Sequence, residues 1–435
     1  MNYPELPDCK SLTNALTEWS RLQHEYGCRG VAPILAGAGR DLQSALRRLR
    51  ALRPDPRLAA AEPSGLAAIR ALRPRGPRRL WPRLDGKRYA DRLAGAMLGR
   101  FAGCTLGAPV EFWEVGAMEA WAKEIGHSFP PAAYWPEIPN RHHRRYQVSR
   151  CDAYTAGGMD GVPVDDDIAY TLLGLLILED HGPKFTVADV GAAWLKYLPY
   201  ACTAEKVALD NLRAGVPAAR AAVKDNPYCE WIGADIRADP WGYLAPAWPE
   251  RAAEMAWRDA YVSHRRQGIY GEMFFAAAVS AAFAVDDPVE ALRIGLTEIP
   301  AGCALAKQVR WALAVAPRIR NYRQARAAVE KRFAGMSGVH TINNACLSIW
   351  GLTIGRGDFT RTIAETVAMG LDNDCTAATA GSICGAVAGR RGIPAHWTRG
   401  FRNTVHSYLK NRKRFAIDDL ERRFLQQARR VWATA

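Results

Sequence analysis

The side chains most able to do chemistry are gathered in two short runs of acid. Pro-Val-Asp-Asp-Asp occupies residues 163–167, and Asp-Asn-Asp-Cys occupies 372–375. Each runs into apolar, helix-like sequence, from Ile168 and from Thr376 respectively. Carboxylates at a helix start cap free N–H groups and suit the positive end of the dipole. Three in succession, opening a helix too apolar to face water, ask for more than capping. Bunched anions repel and lose solvation unless a hard cation such as magnesium or manganese joins them. A further carboxylate, Glu111, follows a Gly-rich helix, and one bridged pair of cations would satisfy all three groups. The pattern points to a metal-assisted hydrolase.

Those acids need helices to hold them. Apolar periodicity predicts helices near 166–179, 187–197, 204–212, 217–224, 249–263, 271–285, 287–296, 301–315, 321–333, 341–353, 358–370 and 375–388, with a basic amphipathic helix at Leu420–Thr434. From Tyr89 another helix carries Gly95, Gly99 and Gly103, a spacing that lets a neighbour pack closely; Gly381, Gly385 and Gly389 repeat it. Residues 128–163 are loop-like and lead directly into the first acid run, which predicts an active-site wall. β-Branched runs are scarce, so the expected class is all-α.

Residues 1–84 read differently. Two helix-like pieces, near Ser11–Tyr26 and Asp41–Leu52, precede a Pro- and Arg-rich stretch, Arg53–Leu84, that reads as linker with one short helix at Leu66–Leu72. A helical extension, 1–84, followed by a catalytic domain, 85–435, is the expected division. The net charge of +14 is uneven: residues 1–100 carry 19 Lys/Arg against 9 Asp/Glu, and residues 390–435 carry 12 against 3. The basic extension could therefore dock an anionic partner. Ten cysteines show no C-x-x-C pair, which excludes a zinc ribbon and a disulfide framework. The longest uncharged apolar stretch, Met273–Val285, is too short to span a bilayer, and the N-terminus lacks a signal-peptide pattern. No membrane partner and a cytoplasmic location are expected.

Taken together, the motifs resemble the ADP-ribosylglycohydrolase family. The resemblance rests on Gly95-Ala-Met-Leu-Gly99 through Gly107-Ala-Pro-Val-Glu111, Val164-Asp-Asp-Asp167, Ser263-His264, and Gly370-Leu-Asp-Asn-Asp-Cys-Thr-Ala-Ala-Thr-Ala-Gly381. It implies an orthogonal bundle of helices with a two-metal site, Mg2+ or Mn2+, in a cleft. Asp165 and Asp166 match one pair of metal ligands, Asp372 and Asp374 the other. Glu111 matches the glutamate near the scissile bond, and Asp167 is a second candidate for proton transfer. Gly233-Ala-Asp-Ile-Arg237 matches a cleft-lining segment, so Gly233, Arg237 and His264 are expected to bind substrate. Two positions depart from the family pattern. Val164 and Cys375 stand where ligand threonines are usual; valine coordinates nothing, while Cys375 is a candidate metal ligand whose softer thiol prefers other metals to magnesium. One metal position is therefore expected to be weakened.

The activity this implies is hydrolysis of a ribosyl glycosidic bond in an ADP-ribosylated protein, nucleic acid or small molecule, through an oxocarbenium-like transition state. Two alternatives stay open: a hydrolase of an NAD-derived or ADP-ribosylated metabolite, and a degenerate ADP-ribose-binding protein.

Overall fold

The computed structural model describes residues 9–434. Twenty-two α-helices, eight short 3-10 helices and two short antiparallel hairpins make up the regular structure of the described residues, so the all-α expectation holds. Five helices position the site: α1 (Gly86–Gly107), α2 (Asp166–His181), α3 (Gln267–Ala282), α4 (Thr341–Gly355) and α5 (Asn373–Ala388). All five are buried almost all round, as the central members of a helical bundle must be. α1 and the turn after it form one run, 86–110, long and apolar enough to cross a membrane, but its apolar window lies inside the core.

α1 and α5 form the axis of the molecule. A Cβ at Gly95, Gly99 or Gly103 would run into the backbone of Gly385, Gly381 or Ala377, so the two helices touch main chain to main chain. The contact extends to Gly107, which lies against the backbone of Asp374. This stripe of small residues is what brings Glu111, just beyond α1, to the start of α5.

Two other ties fix the loops that bear the acids. The Phe112 N–H donates to the Leu371 carbonyl at 3.0 Å, and the Asn373 amide donates to Val110 at 3.3 Å. The loop ahead of α2 is pinned by Val162, whose N–H donates to Thr404 at 2.8 Å and whose carbonyl accepts from His406 at 3.0 Å. Thr404–His406 and Arg414–Ala416 form the hairpin that supplies this anchor.

The N-terminal helices 9–25, 31–37 and 42–50 have a small core of their own around Leu16, Ile34, Ala45 and Leu49. The Pro/Arg-rich stretch after them is not a loose tether. Ile69 and Trp81 join the main core. Arg73 spans Glu250 and Glu298, both at 2.5 Å, and Arg78 pairs with Glu298 at 2.7 Å. Its arginines find acids more than 170 residues away, partners that no local pattern displays.

Candidate functional site

Four of the carboxylates expected as ligands or catalyst, Glu111, Asp166, Asp372 and Asp374, line one cavity of about 480 Å³, and Asp165, 1% exposed, is joined to them through Arg145. Asp165 is the N-cap of α2 and accepts from the Asp167 N–H at 3.1 Å, while Asp166 opens the helix. Asp372 is the N-cap of α5 but makes no side-chain cap bond, so its carboxylate is left to the cavity. It follows Gly370 and Leu371, both at positive φ (70° and 60°), a turn that aims it inward. Oxygens of Glu111, Asp372 and Asp374 lie within 4.8 Å of one another. Cys375 and Asp167 also line the cavity.

The electrostatic strain of this grouping is large. Burial, then Asp374, pushes Glu111 up to about 8. Burial raises Asp165 to about 8 although Arg145 opposes it. Asp372 is held well above the usual carboxylate range by burial, then by Asp374 and Glu111. Asp167 is raised too, chiefly by burial, despite its ion pair with Arg100 at 3.0 Å. Arg100 sits behind the acids and also pairs with Asp239 at 2.7 Å.

In front of the acids stands a residue that sequence reasoning passed over. The loop 128–163 does line the cavity, and within it Arg144–Arg145 and Ser149–Arg150 pair as a hairpin, β1 and β2. Arg145 reaches from β1 into the carboxylates. Its Nη1 donates to Glu111 Oε2 at 2.6 Å and to the Ala108 carbonyl at 2.7 Å. Its Nη2 donates to Asp165 Oδ2 at 3.0 Å and Asp374 Oδ2 at 2.9 Å. Burial pushes this guanidinium down, but Tyr146, Glu111, Asp165 and Asp374 outweigh it and hold it well above its ordinary value. Tyr146 donates to Asp166 Oδ1 at 2.7 Å, and its ring packs with Tyr200 and Tyr408. The only sequence signal was an Arg-Arg pair in the loop that leads to the acids.

The remaining expected residues divide. Gly233 lines the cavity, and a Cβ there would strike the Glu205 carboxylate. Arg237 is not brought to the cavity: it is 1% exposed and saturated by Asp259 (2.6 Å), Glu205 (2.7 Å), Glu272 (3.4 Å) and the Ser263 hydroxyl (3.1 Å). His264 is fully buried as well, with Nδ1 2.8 Å from Ser263 Oγ, and burial, then Arg237, pushes it well below its ordinary value. Both belong to a buried polar network behind the cavity wall. Among other side chains not expected from sequence, Phe112, 55% exposed with φ 61°, and Arg144, exposed and without an ion-pair partner among the described residues, line the cavity.

The donor set can be tested against a metal. Glu111, Asp372 and Asp374 supply hard oxygens close enough to share one divalent cation, and they fit it. Arg145 engages one oxygen each of Glu111, Asp165 and Asp374, and Tyr146 one of Asp166, so among these ligands Asp372 alone is free of both. Val164 has no donor atom. Burial, then the Asp167, Asp372 and Asp374 charges, keeps the Cys375 thiol well above its ordinary range.

A family model described as ADP-ribosylglycohydrolase matches residues 85–432. Among solved structures, the chain is similar to one described as an ADP-ribosylglycohydrolase-related protein complex. The identity is 20% over 79% of this chain and 99% of that one, with a TM-score of 0.51, a likeness of fold. No curated protein sequence matches the chain.

Proposed function

Because the chain belongs to the ADP-ribosylglycohydrolase family, a glycohydrolase family generally dependent on metal, we propose that it hydrolyses the ribosyl glycosidic bond of an ADP-ribosylated substrate. The observation that carries this reading is the meeting of Glu111, Asp166, Asp372 and Asp374 at one cavity, with Asp165 tied to them through Arg145. Magnesium or manganese, held by Glu111, Asp372 and Asp374, would bind ribose hydroxyls and acidify a water there.

The protein's own groups divide the remaining work. One oxygen of Glu111 is held by Arg145, and the other has no protein partner. That free oxygen is placed to take the proton of the attacking water. Asp166, oriented by Tyr146, and Asp165, oriented by Arg145, present negative charge to the developing oxocarbenium ion. Arg144 is the side-chain donor for the pyrophosphate, a role that Arg237, locked among acids, is not free to take. Phe112 offers a ring face to the base at the cavity rim.

A second reading, a binder of ADP-ribose without turnover, is favoured by Arg145 standing among the acids together with the missing donor at Val164. A metabolite derived from NAD would present the same ribose and remains within the first reading. Incubation with ADP-ribosylated peptide, oligonucleotide and small-molecule probes, with and without Mg2+ or Mn2+, separates the readings. Metal-dependent release of ADP-ribose supports hydrolysis; metal-independent binding of ADP-ribose with no release supports the binder. Neither outcome would refute both.

A further inference from the structure

The carboxylate cluster contains a positive charge that belongs to the chain itself. Resting on the metal-dependent reading above, we propose that Arg145 is a resident cation. Its guanidinium stands in for one divalent ion, so that this chain binds a single divalent cation at Glu111, Asp372 and Asp374.

Three independent features point to it. The first is geometry. The fork of Arg145 collects carboxylates from three separate segments: Glu111 after α1, Asp165 at the cap of α2, and Asp374 in the first turn of α5. Joining acids from separate segments is what a bridging ion does, and a planar guanidinium does it with two donor nitrogens and fixed charge.

The second is the way Arg145 is delivered. β1 and β2 pair Arg144 with Arg150 and Arg145 with Ser149. Tyr146 and Gln147, at φ 49° and 59°, turn the chain back sharply. Beside the guanidinium, Tyr146 is bonded to Asp166 and packed on Tyr200 and Tyr408, centroids 6.3 and 5.7 Å away. The rings of Tyr146 and Tyr154 also flank it, at 5.3 and 5.5 Å. Tyr154 in turn donates to the Val164 carbonyl, so the same aromatic wall holds both the arginine and the acid run. Holding Arg145 here leaves its Nε buried without a partner, a cost that the bonds to acid must outweigh.

The third is what the neighbouring positions lack. Val164 and Cys375 flank the two acid runs and supply no hard oxygen from their side chains. A second divalent ion would miss both donors, whereas a guanidinium needs none, because it brings hydrogens to the carboxylates and completes no coordination sphere. Arg100 and Arg145 then bracket the acids from behind and in front, and one divalent cation completes the set.

The test is a count of bound ions. Free Mn2+ is followed by electron paramagnetic resonance as it is titrated into the full chain, wild type and Arg145→Gln, with melting curves for both. One bound Mn2+ per wild-type chain, rising to two in the variant, is the expected result. Two ions in wild type would overturn the resident-cation proposal and leave the hydrolase reading intact. A count of one in a folded Arg145→Gln variant would overturn it as well. No binding in either protein would sink both this proposal and the metal-dependent reading. Arg145→Lys, which keeps the charge and loses the fork, is expected to bind one ion. It serves if the glutamine variant does not fold, with the wild-type count still decisive.

Discussion

Two arginines in this molecule each gather three carboxylates, and they do opposite things. Arg237 lies behind the cavity wall with Asp259, Glu205 and Glu272, every nitrogen engaged, between the rings of Tyr170 and Trp194. Arg145 lies at the cavity with Glu111, Asp165 and Asp374, carried on a two-residue strand. The first set is almost wholly buried, only Glu205 reaching the cavity lining, so its charges must balance largely from within. The second is open on one side, and its acids can exchange one cation for another. The same ion-pair chemistry thus makes structure where solvent is excluded and a site where it is not.

The sharpest way to break this contrast is to remove each arginine in turn. Arg237→Met strands three buried carboxylates and is expected to cost roughly 3–5 kcal/mol in urea unfolding, enough to jeopardise folding. Arg145→Gln is expected to cost at most about 2 kcal/mol, because the freed acids can hydrate, protonate or bind a cation. Added Mg2+ should recover the loss for Arg145→Gln and not for Arg237→Met. Equal costs, or no recovery, would erase the distinction between the two sets.

Removing one acid from each set is the next largest test. Asp374→Ala is expected to lower metal affinity and turnover by more than about 100-fold with little change in melting temperature, since even outer-shell partners of a metal are worth 10–100-fold. Asp259→Ala should do the reverse, lowering stability while leaving Mn2+ affinity in the folded fraction unchanged. Calorimetry of Mn2+ binding beside thermal melts reads both.

How these sets were reached also separates what sequence displays from what it conceals. The Gly95, Gly99 and Gly103 spacing announced close packing, and the structure seats it against Ala377, Gly381 and Gly385. Most helices from 166 onward begin and end close to their expected positions because apolar periodicity and caps are local signals, whereas the helix Ala238–Leu244 lies in a turn-rich stretch where none is expected. The acid runs were legible for the same reason: a charge before an apolar helix is visible in a few residues. Arg145 was not, since its loop has no period and its partners lie 20, 34 and 229 residues away. Arg237 is expected in the cleft because its segment matches a cleft-lining one of the family, and nothing in that segment reveals that Glu205, Asp259 and Glu272 enclose it. The Arg53–Leu84 stretch read as linker for a related reason, its acids Glu250 and Glu298 being distant in the chain.

Solvent exclusion should also give the closed set a pH signature. Burial pushes Glu205 up to about 7 from an ordinary 4.5, although Arg237 opposes the shift. The folded protein therefore holds this proton more tightly than the unfolded chain. Its contribution to stability is full below about 4.5, declines as pH rises to about 7, and is level beyond. Urea unfolding between pH 4.5 and 8 should show a decline to which Glu111 and Asp165, raised to about 8, also contribute, and Glu205→Gln should remove about 3 kcal/mol of it. A slope unchanged in the variant would assign the decline to another group.

The smallest effect expected is also the one most specific to the open set. Val164→Thr restores a hydroxyl beside Asp165, and a site short of one ligand would gain from it. With Arg145 in place, that hydroxyl has no second ion to meet, so Mn2+ affinity is expected to change by less than about threefold, well under the 1–2 kcal/mol of an effective hydrogen-bonding or ligand group. In the Arg145→Gln background the same substitution should tighten the second ion by about tenfold, a coupling of roughly 1.4 kcal/mol between two neighbouring positions. The cycle of four proteins isolates that term from any general loosening of the wall. Strong gain from Val164→Thr alone would mean that an ion already displaces Arg145 in the wild-type chain, and the two arginines would then differ in mobility, not only in exposure.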